Sequence, residues 1–154
     1  MLWPMLRIFI DADACPVKDE TYKVAKRHGL ITIVVANQWM TMPNDPMVRL
    51  EVVDDGFDAA DHWIVEHLDK GDIVISEDIP LAARCIAKGA RVITGRGAIY
   101  DDNSIGEALA RRELMQYLRE SGTMKGGHKP MQDADRALFQ RELEKLIQSV
   151  KKHG

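Results

Sequence analysis

The sequence predicts an α/β fold of three layers: a mostly parallel, five-stranded sheet in the order 3-2-1-4-5 with helices on both faces. Two observations predict it. Short apolar runs alternate with segments of helical spacing, which requires crossover connections and hence parallel strands. The acidic residues then gather just after the strands, at the end of an open parallel sheet where ligands bind. With 154 residues, 45% of them hydrophobic and 29% charged, the chain reads as one domain over 1–154, with a real core and too much apolar material for a disordered segment.

The elements follow in order. Leu6 to Ile10 (LRIFI) is a buried strand that opens into Asp-Ala-Asp. Pro16 precedes a helix over Val17 to His28, closed by Gly29. Thr32 to Ala36 and Val48 to Val53 are the second and third strands, joined by a loop with Pro43 and Pro46. Gly56 breaks the pattern, and the helix after it carries Ala60, Ile64 and Leu68 on one face with Asp58 and Asp61 in its first turn. Asp72 to Ser76 is the fourth strand, Pro80 to Lys88 a helix ended by Gly89, and Arg91 to Thr94 the fifth strand. Ser104 with Glu107 is a capping-box signature for a helix reaching Glu120. A loop over 121–132, rich in Gly and Pro, leads to a basic helix over 133–152. Its apolar face, Leu138 or Phe139 with Leu143, Leu146, Ile147 and Val150, packs on the domain or on a second copy in a homodimer.

Composition excludes several classes. No apolar run approaches the roughly 20 residues of a membrane helix, and the stretch before Arg7 is too short for a secretory signal, so a cytoplasmic protein without membrane contact is expected. Cys15 and Cys85 stand in no metal-ligand spacing and read as buried thiols. The net charge of -3 argues against a strongly basic nucleic-acid binder. Its distribution is uneven. Residues 1–110 hold 11 Lys and Arg against 18 Asp and Glu, a balance of -7, whereas residues 111–154 hold 10 against 6, a balance of +4.

Chemistry points to the carboxylates. Asp11 and Asp13 follow the first strand, Asp58 and Asp61 the third, Glu77 and Asp78 the fourth. In the order 3-2-1-4-5, Asp11 and Asp78 face each other where the strand order reverses. Converging carboxylates repel, and a hard divalent cation, Mg2+ or Mn2+, relieves that repulsion. Capping is the competing reading for Asp13, Asp58 and Asp78, each of which precedes a helical segment. It accounts poorly for Asp11 at a strand end, or for two acids in one helical first turn.

Other candidates are phosphate or substrate contacts: Asn37 after the second strand, Thr94 and Arg96 in a Gly-rich turn, and Lys125, His128 and Lys129 in the glycine loop. Trp39 offers a ring for stacking on a base, although burial is the commoner fate of an aromatic. His62 and His67, five residues apart, do not share a helix face and are set aside as ligands.

IDADACP at 10–16, VAN at 35–37, GFDAADHWIV at 56–65, GDIVISEDIPLA at 71–82, KGA at 88–90 and GGHKP at 126–130, with Asp135 and Arg136 nearby, together resemble the YaiI/YqxD family of bacterial proteins. The resemblance spans Leu6 to about Ile147. That family is similar to the PIN-like superfamily, whose members are often Mg2+- or Mn2+-dependent ribonucleases with three or four acids around the metal. The resemblance implies Asp11, Asp58, Asp61 and Asp78 as catalytic metal ligands, Asp13 as a further ligand or a neighbouring acid, and RNA or another phosphate-containing substrate as the partner. Two other functions fit the same residues. A haloacid-dehalogenase-type phosphatase would use Asp11 as nucleophile and Asp13 as acid and base, though Ala14-Cys15-Pro16 suits that motif poorly. A non-catalytic module binding RNA, a nucleotide or a protein would use the basic residues 111–154 as its contact surface.

Overall fold

The computed structural model describes residues 6–54, 56, 58–122 and 130–153. Its strands are β1 (Ile8–Asp11), β2 (Thr32–Ala36), β3 (Val48–Val52), β4 (Ile73–Ile75), β5 (Arg91–Ile93) and β6 (Ile99–Tyr100). Its helices are α1 (Lys18–His28), α2 (Ala59–His67), α3 (Ile79–Ala87), α4 (Ile105–Glu120) and α5 (Asp133–His153). The sheet order is β3-β2-β1-β4-β5-β6, with every pair parallel except β5 with β6. The predicted five-strand order is therefore present, and a sixth, antiparallel strand extends it. That strand exists because the Thr94–Ala98 turn reverses the chain: Gly97 takes φ +88°, and Thr94 exchanges backbone hydrogen bonds with Gly97 and Ala98.

The alternation of side chains along a strand explains the three layers. Ile8, Ile10, Val34, Ile73, Ile75 and Ile93 point to one face, where they join Val24 of α1 and Phe139, Leu143 and Ile147 of α5. Phe9, Ile33, Val35, Val74 and Val92 point to the other, against Ile64 of α2 and Leu81 and Cys85 of α3. The apolar face predicted for the last helix is thus covered within the chain, with Phe139 rather than Leu138 as its fully buried member. Polar contacts add to it: Arg136 Nη1 donates to the Pro16 carbonyl at 2.7 Å, and His28 of α1 hydrogen-bonds Glu144 of α5. By contrast, α4 buries none of its residues fully and lies against α3.

Two local expectations are corrected. Ser104 makes no side-chain cap at the start of α4; its hydroxyl accepts from the Asp101 backbone N–H, while Asp101 Oδ1 accepts from the backbone N–H groups of Asn103 and Ser104. An Asp turn stands where the capping box was expected, because Asp101 takes the Ser104 N–H that the Glu107 side chain would otherwise accept. Trp39 is 74% exposed instead of buried. Cys15 and Cys85 are buried free thiols as expected, and among the described residues no helix is long and apolar enough to cross a membrane.

Candidate functional site

The two ends of the sheet treat their acids differently. At the N-terminal end, buried Asp72 accepts from the Arg7 and Asp69 backbone N–H groups at 2.8 and 2.7 Å and pairs with the Arg7 guanidinium at 3.1 Å. That carboxylate is satisfied and structural. At the C-terminal end, a cavity of about 450 Å³ is lined by Asp11, Asp13, Asp58, Asp61, Glu77 and Asp78, together with Asn37 and Arg112. It sits over the boundary between β1 and β4, where the strand order reverses.

Each acid has its own support. Asp11 is the last residue of β1 and only 9% exposed. Ser76, which follows β4, donates its hydroxyl to Asp11 Oδ2 at 3.0 Å and accepts from the Asp78 backbone N–H at 3.0 Å. One hydroxyl thus ties the ends of the two central strands together. Asp78 caps α3, its Oδ1 accepting from the Leu81 N–H at 3.0 Å, so capping is part of its role. Asp58 precedes α2 without a side-chain cap bond and holds φ +61°, the left-handed region that non-glycine residues seldom occupy. Capping therefore does not explain Asp58, and the strained backbone there is of the kind found at functional sites. Asp13 lies in a single 3-10 turn, Ala12–Ala14, and accepts from Asn37 Nδ2 at 3.2 Å. The other amide atom, Asn37 Oδ1, is buried with no hydrogen-bond partner among the described residues.

The electrostatics follow from this crowding. Burial raises Asp11 above the usual carboxylate range, repulsion from Asp13 and Asp78 adds to it, and Ser76 and Lys18 oppose it. Burial pushes Asp61 up to about 7, helped by the charges of Asp78, Asp11 and Asp58 and by a hydrogen bond shared with Asp78. The native state therefore holds a proton that the unfolded chain releases near pH 4. Stability falls as pH rises from there through about 7. Among the described residues no three His, Cys, Asp or Glu side chains already stand in one metal-holding group. Asp61 and Asp78 hydrogen-bond each other, and the other acids line the same cavity.

The remaining sequence candidates fall elsewhere. Thr94 and Arg96 do not line the cavity: Thr94 Oγ1 accepts from the Ala98 N–H at 3.2 Å within the turn, and Arg96 pairs with Asp135 of α5 at 3.0 Å. Lys125, His128 and Lys129 lie outside the described residues. His62 faces Arg84, and His67 stacks on Trp63 at 3.9 Å. Sequence reasoning left out Ser76 and Arg112, and it placed Glu77 among the converging acids without giving it a role. Glu77 Oε1 accepts from the Gly95 N–H at 2.6 Å, a contact that leaves only 3.0 Å for any Cβ at Gly95.

The family model described as "Uncharacterized BCR, YaiI/YqxD family" matches residues 9–149. The chain belongs to the YaiI/YqxD family. Its relatives include the UPF0178 protein of Gluconacetobacter diazotrophicus, 52% identical over 93% of each chain. The UPF0178 protein of Paramagnetospirillum magneticum is 50% identical over 96% of this chain and 98% of its own, and that of Rhodospirillum rubrum is 51% identical over 96% and 99%. No solved structure matches the chain significantly. The YaiI/YqxD match contains every carboxylate of the cavity and reaches into α5, so the family is defined over both faces of the sheet.

Proposed function

We propose that the chain is a divalent-metal-dependent phosphodiesterase, a ribonuclease of the PIN-like kind, in which Asp11, Asp58, Asp61 and Asp78 hold Mg2+ or Mn2+ with Asp13 beside them. The observation that carries this reading is the meeting of carboxylates from β1, from the turn after β4 and from the start of α2 in one cavity at the strand-order reversal. The donor set suits a hard cation, being all oxygen, and the unpartnered Asn37 Oδ1 adds a neutral oxygen to it. A volume of about 450 Å³ leaves room for a substrate group as well as a cation.

A bound Mg2+ or Mn2+ supplies an acidified water and charge neutralisation at the phosphate. The chain's residues do the rest. Ser76 ties the Asp11 carboxylate to the Asp78 backbone N–H, and the Leu81 N–H holds the Asp78 carboxylate. Asp61 hydrogen-bonds Asp78, and the proton that burial keeps on Asp61 must leave before its carboxylate binds a cation.

Cleavage of an oligoribonucleotide is expected in Mn2+ and absent in EDTA, with restoration on adding the metal back. Because Asp61 ionises at about 7, cation affinity and rate should both rise between pH 6 and pH 8. Equal cleavage in EDTA and Mn2+ would remove the metal from the account; a rate falling over that interval would remove Asp61 from the site.

A further inference from the structure

Among the described residues, one basic side chain shares the wall of this acidic cavity. Arg112 of α4 lines it with six carboxylates, yet among the described residues it makes no hydrogen bond and no ion pair. Other arginines that stand beside carboxylates are paired with them. Arg111 pairs with Glu107, Arg96 with Asp135, Arg136 with Glu20 and Arg7 with Asp72. An arginine present to neutralise the acids would be bonded to one of them, as those four are to theirs. Arg112 instead, among the described residues, leaves its donors unused beside a cluster suited to cations. The cavity therefore offers two complementary features, carboxylate oxygens for a hard cation and a planar fork of N–H donors for an anion. A phosphodiester matches both, since one oxygen can face the cation while the others accept from a guanidinium.

The geometry points to Arg112 as the residue that binds the substrate phosphate, with an anionic phosphodiester as the ligand class. This rests on the phosphodiesterase reading above. The placement has a structural basis: α4 lies against α3, the helix whose first turn Asp78 caps, so a side chain on α4 comes over the acids without belonging to the sheet. Because α4 has no fully buried residue, exchanging Arg112 disturbs no core.

The test is fluorescence anisotropy with a labelled oligoribonucleotide of about ten nucleotides in Mn2+, read beside calorimetric Mn2+ titration without RNA. Arg112→Ala should weaken RNA binding by about tenfold or more and lower the salt slope by about one, the signature of one lost phosphate contact. Its Mn2+ affinity should stay within about twofold of wild type, since Arg112 donates nothing to the cation. Arg112→Lys should recover part of the loss, because an ammonium keeps the charge without the fork. Arg111→Ala, which removes an equal charge outside the cavity, should change RNA affinity by less than about twofold. Unchanged RNA binding and salt slope in Arg112→Ala would overturn the inference while leaving the metal site standing. So would equal losses in Arg112→Ala and Arg111→Ala, or a wild type that binds Mn2+ and no RNA. A wild type that binds neither would overturn the underlying reading and this inference with it.

Discussion

Asp11→Asn is expected to lower metal-dependent cleavage by about a hundredfold or more, worth about 2.7 kcal/mol of transition-state stabilisation, without unfolding the protein. Asn keeps the shape of Asp and can still accept the Ser76 hydroxyl, so the link between β1 and β4 survives. What it loses is the charge at the most buried carboxylate of the cavity. That charge is costly in the cation-free protein, as the upward shift of Asp11 by burial indicates. The variant should therefore melt no lower than wild type in EDTA, the trade between stability and activity expected where function keeps like charges together. Cleavage rate and thermal melting, measured on the same preparation, check both halves. Full activity in Asp11→Asn would remove this residue from the chemistry, and collapse of the fold would make its role structural.

Phe139→Ala should produce the largest loss of stability, about 3 to 5 kcal/mol, because a fully buried aromatic leaves a cavity that its surroundings fill only in part. Phe139 belongs to the cluster that joins α5 to the inner face of β1, β2, β4 and β5. Around it, Arg136 reaches Glu20 and the Pro16 carbonyl on one side, and Glu144 meets His28 on the other. These contacts, mostly part-buried, contribute less than the buried ring. Urea unfolding measures the difference; a loss below about 1 kcal/mol would mean that α5 rests on the sheet without completing its core.

Much of this architecture was legible because the signals were local. LRIFI followed by Asp-Ala-Asp is a strand reaching a polar end, and the structure places Asp11 at that end with Ile8, Phe9 and Ile10 buried. Gly29 at φ +65° ends α1 where a left-handed residue is needed. The spacing of Leu143, Leu146, Ile147 and Val150 marked the buried face of α5. What stayed hidden depended on contacts between distant segments. β6 is two residues long, too short for any periodicity, and pairing with β5 alone makes it a strand. Thr94 and Arg96 looked like phosphate ligands in a Gly-rich turn, but Asp135, far along the chain, draws Arg96 to α5. Arg112 carries no local mark among the mixed charges of α4; only the packing of that helix brings it to the acids. Ser76 lay within a motif, yet its task of joining Asp11 to Asp78 appears only when β1 and β4 are neighbours.

The central claim is that these carboxylates hold a divalent cation, and calorimetric titration of Mn2+ into wild type and Asp78→Asn tests it most directly. Asn caps a helix as well as Asp does, so the Leu81 N–H keeps its partner and α3 should be unchanged by circular dichroism. The account predicts saturable binding in wild type and an affinity lower by about tenfold or more, about 1.4 kcal/mol, in the variant. Equal affinities, or no binding by wild type, would contradict it and return Asp78 to the single task of capping a helix.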